Sequence, residues 1–146
     1  MRLTSPAFGM NEEIPGRYTC DGEELRPPLS LSGVPEGAQS LAFIVDDPDA
    51  PTGLFTHWTV WDLDPALTEM GEGEPPSGVE GNTSDGRPGW VAPCPPDRRH
   101  RYFFKAYALD TTLDLPPGAS VAELEAAMEG HVLDKAGLMA TYERIR

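Results

Sequence analysis

Two apolar runs joined by a short acidic loop constrain the fold of this chain more than any other feature. Residues 41–63 read LAFIVDDPDAPTGLFTHWTVWDL. β-Branched, aromatic and aliphatic residues fill both runs, while Asp, Pro and Gly fill the loop, a pattern typical of two strands and a connection. If the strands pair antiparallel, Asp47 leaves the first and His57 enters the second at the same edge of a sheet.

The second of these runs is predicted to be a strand that is covered on both sides. Strict alternation over residues 55–63 places Thr59, Trp61 and Leu63 on the same face as His57. Large apolar groups occur on both faces, which is typical of a strand buried between two layers. His57 is therefore either buried and hydrogen-bonded or directed into a pocket.

Other segments indicate a mainly β protein with a short helix near its C-terminus. Further strands are expected at residues 102–109, where the prediction is strongest, at an edge position in 3–8, and at 138–145. Ser120 and Glu123 form a capping box that opens a helix, Gly130 is a plausible stop, and residues 131–136 are expected to form another helical turn.

Length and charge limit the class of protein. With 146 residues the chain is long enough for one domain with a real core and too short for two comfortable ones. A net charge of -13 argues against binding to nucleic acid or to an anionic membrane surface.

The compartment is predicted from what the chain lacks. No segment reaches the roughly 18 consecutive apolar residues of a membrane span, and the N-terminal residues contain no continuous apolar region typical of a signal peptide. A cytoplasmic protein is therefore expected, in which Cys20 and Cys94 are reduced.

The candidate functional residues are acids, imidazoles, a tyrosine and a cysteine that three loops bring to one sheet edge. They are Asp47, Asp49, His57, Cys94, His100 and Tyr102, with Pro93 and Pro95 as a stiff wall beside them. Imidazoles, a tyrosine hydroxyl and loop N–H groups are donors, and a nearby carboxylate favours the protonated form of a histidine. This set indicates a pocket for a small anion.

Three other interpretations use the same residues. Two histidines and a carboxylate are ligands in non-haem iron and zinc sites, although no HxH or HxxxH spacing is present. Cys94, or the Asp47/His57 pair, could serve a hydrolase, but Cys94 lies between prolines rather than at a helix N-terminus that would lower its pKa. The third interpretation is a purely structural cluster in a binding module.

Four motifs give the chain a resemblance to a known family. They are DPDAP (47–51), HW (57–58), PCPP (93–96) and HRY (100–102). In this order they resemble the phosphatidylethanolamine-binding protein family, whose animal members include the Raf kinase inhibitor protein, and most closely its small prokaryotic branch. The matching pieces extend over essentially the whole chain.

The resemblance implies a single domain over residues 1–146 with a mainly β fold. A large antiparallel sheet would pack on a smaller one with Greek-key connections, and short helices would lie near the C-terminus. It also implies a non-enzymatic binding protein without cofactor or metal, which binds phosphate or a phosphoryl head group and regulates or inhibits a kinase or protease. A homodimer is common among the prokaryotic members.

The resemblance also implies which residues form the pocket. They are Asp47, Asp49, His57, His100 and Tyr102, with residues 93–96 as the wall. The chain departs from the family pattern at Trp90-Val91-Ala92, where relatives usually have an aromatic residue followed by two glycines. The side chains of Val91 and Ala92 are therefore expected to narrow the pocket.

Overall fold

The computed structural model describes residues 1–145 and contains two antiparallel sheets. Its strands are β1 (Arg2–Thr4), β2 (Leu29–Ser32), β3 (Ser40–Asp47), β4 (Phe55–Leu63), β5 (Glu69–Met70), β6 (Val79–Glu80), β7 (His100–Leu109) and β8 (Val132–Tyr142). The helical elements are the 3-10 turn Gly16–Tyr18 and the α-helix α1 (Val121–Met128). The large sheet has the strand order β6-β4-β3-β7-β8, and the small sheet has the order β1-β2-β5.

The main core lies between the two sheets. Leu3 and Leu31 of the small sheet are buried in the same cluster as Phe43, Trp58 and Phe104 of the large sheet. The even-numbered positions of β7 from 102 to 108 all belong to this cluster, which confirms the alternation predicted for that strand. The mainly β fold with a large sheet packed on a smaller one is therefore confirmed.

The opposite face of the large sheet is covered by α1. Leu124 and Met128 of the helix are buried in a second cluster with Trp61 of β4. The predicted capping box is confirmed, because the Ser120 hydroxyl accepts from the Glu123 N–H and the Glu123 carboxylate accepts from the Ser120 N–H. None of the helices within residues 1–145 has the length and hydrophobicity of a transmembrane span.

Two sequence predictions near the chain ends need correction. Residues 131–136 are not a helical turn, because β8 begins at Val132 and pairs with the whole of β7 as far as Tyr142. The first half of β8 lies mostly exposed at the edge of the sheet, so the hydrophobic alternation that identifies a strand is weak there. The strand expected at 3–8 is the shorter β1, at an edge of the small sheet.

A β-bulge in β4 sets the direction of His57. The register with β3 shifts between Val45 and Asp46, which leaves His57 without a Cα partner on β3. A bulge re-aims side chains relative to strict alternation. The His57 ring accordingly contacts Tyr102, which belongs to the same buried cluster as Trp58. Strict alternation across the strand is therefore wrong at this residue.

Candidate functional site

A cavity of about 300 Å³ opens at the edge of the large sheet where β3 ends and β4 and β7 begin. Six of the eight predicted site residues line it, namely Asp47, His57, Cys94, Pro95, His100 and Tyr102. The remaining lining is largely apolar and consists of Ala50, Pro51, Thr52, Phe55, Val91, Ala92 and Pro96. The volume is at the lower end of the range for small-molecule pockets.

His100 lies between two carboxylates. Its Nδ1 is 2.7 Å from Asp47 Oδ2, and its Nε2 is 2.7 Å from Asp97 Oδ1. Ionised carboxylates only accept hydrogen bonds, so the doubly protonated imidazolium is the form that can donate to both. The hydrogen bond to His100 is also the main reason why the pKa of Asp97 is lowered. The ring is 1% exposed, so its orientation is fixed by these partners and by the surrounding core.

His57 pairs with a backbone carbonyl, whereas His100 pairs with carboxylates. Its Nδ1 is 2.6 Å from the carbonyl oxygen of Val91, and because a carbonyl only accepts, Nδ1 carries the proton. Burial lowers the pKa of His57, with the nearby Asp47 carboxylate opposing that effect. The neutral ring therefore has its lone pair on Nε2, which can accept a hydrogen bond.

Tyr102 supplies a hydroxyl donor next to these rings. Its ring centroid lies 5.3 Å from that of His57 and 6.4 Å from that of His100. Burial, reinforced by the negative charge of Asp47, raises the pKa of Tyr102 well above its usual value. The hydroxyl consequently keeps its proton over the physiological pH range and can donate to an anion.

Two predicted site residues lie outside the cavity lining. Asp49 accepts from the backbone N–H, Nε and Nη2 of Arg101, each at 2.9 Å, which holds its pKa at about 2. This fork-shaped pair fastens the β3–β4 loop to β7, and the backbone N–H of Asp49 donates to Asp47. The carbonyl oxygen of Pro93 accepts a hydrogen bond from the backbone N–H of Cys20, with 3.0 Å between the two atoms.

The prediction that Cys20 and Cys94 are reduced is wrong for this structure. The two residues form a disulfide with their Cα atoms 5.3 Å apart. The sequence argument relied on compartment alone, whereas the folded chain brings the two positions within bonding distance. The bond fastens the segment after the Gly16–Tyr18 turn to the cavity wall at residues 93–96.

The disulfide also removes the proposed cysteine nucleophile. Cys94 has no free thiolate in this state, so it cannot attack a substrate. The other hydrolase arrangement lacks its central contact, because Asp47 bonds to His100 and His57 bonds to Val91 rather than to each other. Among residues 1–145 no group of three or more His, Cys, Asp or Glu side chains is placed to hold a metal ion.

Two contributors to the site were missed by the sequence reasoning. Phe55 packs on His57 with 4.7 Å between ring centroids, and Asp97 bonds to the outer nitrogen of His100. A signal for Asp97 was present, since it stands three residues before His100 in the same proline-led loop. Val91 and Ala92 line the cavity, which has a volume of about 300 Å³. That their side chains narrow it, compared with the two glycines usual in relatives, stays a prediction.

Together, the fold and the cavity define a class of protein. Two antiparallel sheets and a covering helix support one small pocket, in which two imidazoles, a phenol and a carboxylate meet an apolar wall. The arrangement offers both hydrogen-bond donors and acceptors around a space for a small polar group. These features define the class as a two-sheet β protein with a small, partly polar cavity at one sheet edge.

The chain belongs to the phosphatidylethanolamine-binding protein family, whose sequence profile matches residues 4–143. It is 50% identical over 150 residues to a protein of Methanothermobacter thermautotrophicus named only as a UPF0098 protein, and the match covers 99% of both chains. The family resemblance inferred from the four motifs is therefore confirmed.

Solved structures agree with this assignment. A crystal structure from Chlamydia trachomatis, described as a phosphatidylethanolamine-binding protein homolog, superposes with a TM-score of 0.97 at 44% identity, covering 99% of this chain and 97% of that one. E. coli YbcL, described as a new member of the mammalian family, gives a TM-score of 0.90 at 30% identity, covering 99% and 98%.

Proposed function

We propose that this protein is a non-enzymatic binding protein whose cavity holds a small phosphate-like anion or a phosphoryl head group. The observation that carries the proposal is the meeting of His57 from β4 with His100 and Tyr102 from β7 around one cavity of about 300 Å³. A phosphoryl group is a compact set of oxygens, and these three side chains offer it hydrogen-bonding groups.

Each polar group has a distinct part in the proposed binding. The Tyr102 hydroxyl donates to a ligand oxygen, and the imidazolium of His100 supplies positive charge that Asp47 stabilises from behind. His57 accepts through Nε2, so it pairs with a protonated oxygen of a phosphate monoester or takes up a proton when a fully ionised anion binds.

The surroundings limit the affinity and shape the ligand. Asp47 repels a dianion, so modest affinity is expected for inorganic phosphate. Ala50, Pro51 and Phe55 form an apolar border around the polar groups. A phosphoryl group that carries an organic substituent can bury part of that substituent there and should bind more tightly than phosphate alone.

Calorimetric titration of the wild type with inorganic phosphate and phosphorylethanolamine tests this proposal. We expect weak binding that is lost in His57→Ala and in His100→Ala. His131→Ala is the matched control, because His131 also pairs with an aspartate, Asp110 at 2.8 Å, but is 46% exposed and does not line the cavity. Circular dichroism checks that each variant is folded, and binding equal to wild type in both cavity variants would refute the proposal.

A further inference from the structure

The two carboxylates that hold His100 differ sharply in exposure. The Asp47 side chain is 4% exposed, whereas that of Asp97 is 47% exposed, although both lie 2.7 Å from the ring. A buried, hydrogen-bonded carboxylate is costly to move, while an exposed ion pair contributes little and is readily exchanged. The contact of His100 with Asp47 is therefore expected to persist, whereas its contact with Asp97 can be exchanged for another.

The anchoring of the two aspartates supports the same distinction. Asp47 lies at the end of β3, and its second oxygen accepts from the Asp49 N–H at 2.7 Å. Asp97 lies in the loop before β7, where its other bonds are local: Oδ1 accepts from Arg98 N at 2.9 Å, and Oδ2 is 3.9 Å from Arg98 Nε. A rotation of the Asp97 side chain breaks its contact with His100 and requires no movement of a strand.

We propose that Asp97 is a built-in competitor for the ligand: its carboxylate occupies the outer nitrogen of His100, and an oxyanion binds by replacing it there. This inference rests on the proposed function, because His100 lines the proposed binding cavity, while Asp97 bonds to the same ring without being one of the lining residues. The Asp97 carboxylate shows what that position accepts, namely an anionic oxygen 2.7 Å from an imidazole N–H. Phosphoryl oxygens fulfil the same geometric role.

Displacement also explains how an anion can enter an acidic site. With Asp97 in place, an incoming anion faces the charges of both Asp47 and Asp97 around a single imidazolium. Once Asp97 has turned away, His100 is shared between Asp47 and the ligand, and the released carboxylate remains beside the exposed Arg98 guanidinium. A ligand must therefore displace the Asp97 carboxylate, and only anions that compete with a carboxylate for His100 bind.

Calorimetric titration of Asp97→Asn and Asp97→Ala with inorganic phosphate tests this inference. Removing the competing charge should tighten binding by about fivefold, the change expected for loss of one half-exposed ion pair. Asp110→Asn is the matched control, since Asp110 is 45% exposed, pairs with His131 at 2.8 Å and follows the opposite end of β7. It removes the same charge and should leave phosphate affinity unchanged.

A second measurement does not depend on affinity. In the wild type, saturation with phosphate should shift the carboxyl ¹³C resonance of Asp97, because that group leaves the imidazolium, while the resonance of Asp110 stays in place. An unshifted Asp97 resonance, or equal or weaker binding by both Asp97 variants, overturns the inference. If the wild type binds and His57→Ala does not, the proposed function survives that result. If neither the wild type nor any variant binds phosphate, both proposals fall.

Discussion

The Cys20–Cys94 disulfide should make a large contribution to the stability of the protein. The bond joins residues separated by 74 positions, so it closes a loop of about half the chain. A crosslink of this kind stabilises mainly by restricting the unfolded state. Replacing both residues, as Cys20→Ser with Cys94→Ser, releases that restriction and leaves no stray thiol.

The size of the effect follows from the loop length. For a separation of 74 residues, the chain-entropy relation gives about 4.5 kcal/mol at room temperature. Domains of this size have total stabilities of about 5–15 kcal/mol, so the double variant should lose a large fraction of its folding free energy. With a typical urea slope of about 2 kcal/mol per molar, the unfolding midpoint falls by about 2 M.

Urea denaturation followed by circular dichroism measures this loss. Wild-type protein treated with a reductant should unfold at the same urea concentration as the double variant, and the reductant should have no effect on the double variant. Thiol titration of the denatured, unreduced wild type should find no free thiol. Two free thiols, or a loss below about 1 kcal/mol in the variant, would contradict the reasoning.

Three further predictions concern separate parts of the molecule. Because burial lowers the pKa of His57 below 6.5, the ring is neutral above that pH and gains a second donor only as the pH falls. Sulfate should therefore bind more tightly at about pH 5.5 than at about pH 7.5 by calorimetry, and this difference should shrink in His57→Gln. Ser120→Ala removes the acceptor for the Glu123 N–H and should cost about 1 kcal/mol in urea unfolding, with no effect on phosphate binding. Phe104→Ala empties a fully buried position between the sheets and should cost about 3–5 kcal/mol in the same assay.

Local sequence patterns were sufficient to predict the strands that carry the site residues. The apolar runs ending at Asp47 and beginning near His57 form the paired strands β3 and β4, and the run after His100 forms β7 between β3 and β8. Since antiparallel pairing brings the end of one strand to the start of the next, the meeting of these residues follows from strand identity alone. The capping box of α1 is equally local, and it too was correctly predicted.

The bulge at His57 could not be read from the sequence. Alternation placed His57 and Trp61 on one face, whereas Trp61 packs beneath the helix and His57 contacts Tyr102 of the core between the sheets. Leu63 also lies in that core, because a second register shift occurs between Leu41 and Phe43. Bulges depend on the register between two strands, which no single strand encodes. Sequence reasoning therefore identified the residue but not the direction of its side chain.

The partners of the site residues were likewise decided by tertiary structure. Asp49 was predicted to be a second acid of the pocket, but Arg101 of β7 donates hydrogen bonds to both of its carboxylate oxygens. Asp97 was not among the predicted site residues, but the fold places its carboxylate on His100. The contact between Asp97 and His100 spans only three residues, so the spacing hinted at it. The pairing of Asp49 with Arg101 joins segments far apart in sequence, and neither composition nor spacing contains it.

The pairing of Asp47 with Phe55 closes the loop of residues 48–54 at its base. Since that base is held by the sheet, insertions or deletions at the loop tip would leave the geometry of the imidazoles intact. Ala50, Pro51 and Thr52 in this loop nevertheless line the cavity. Substitutions in this one hairpin can therefore change the lining of the cavity without altering the hydrogen bonds that position the imidazoles.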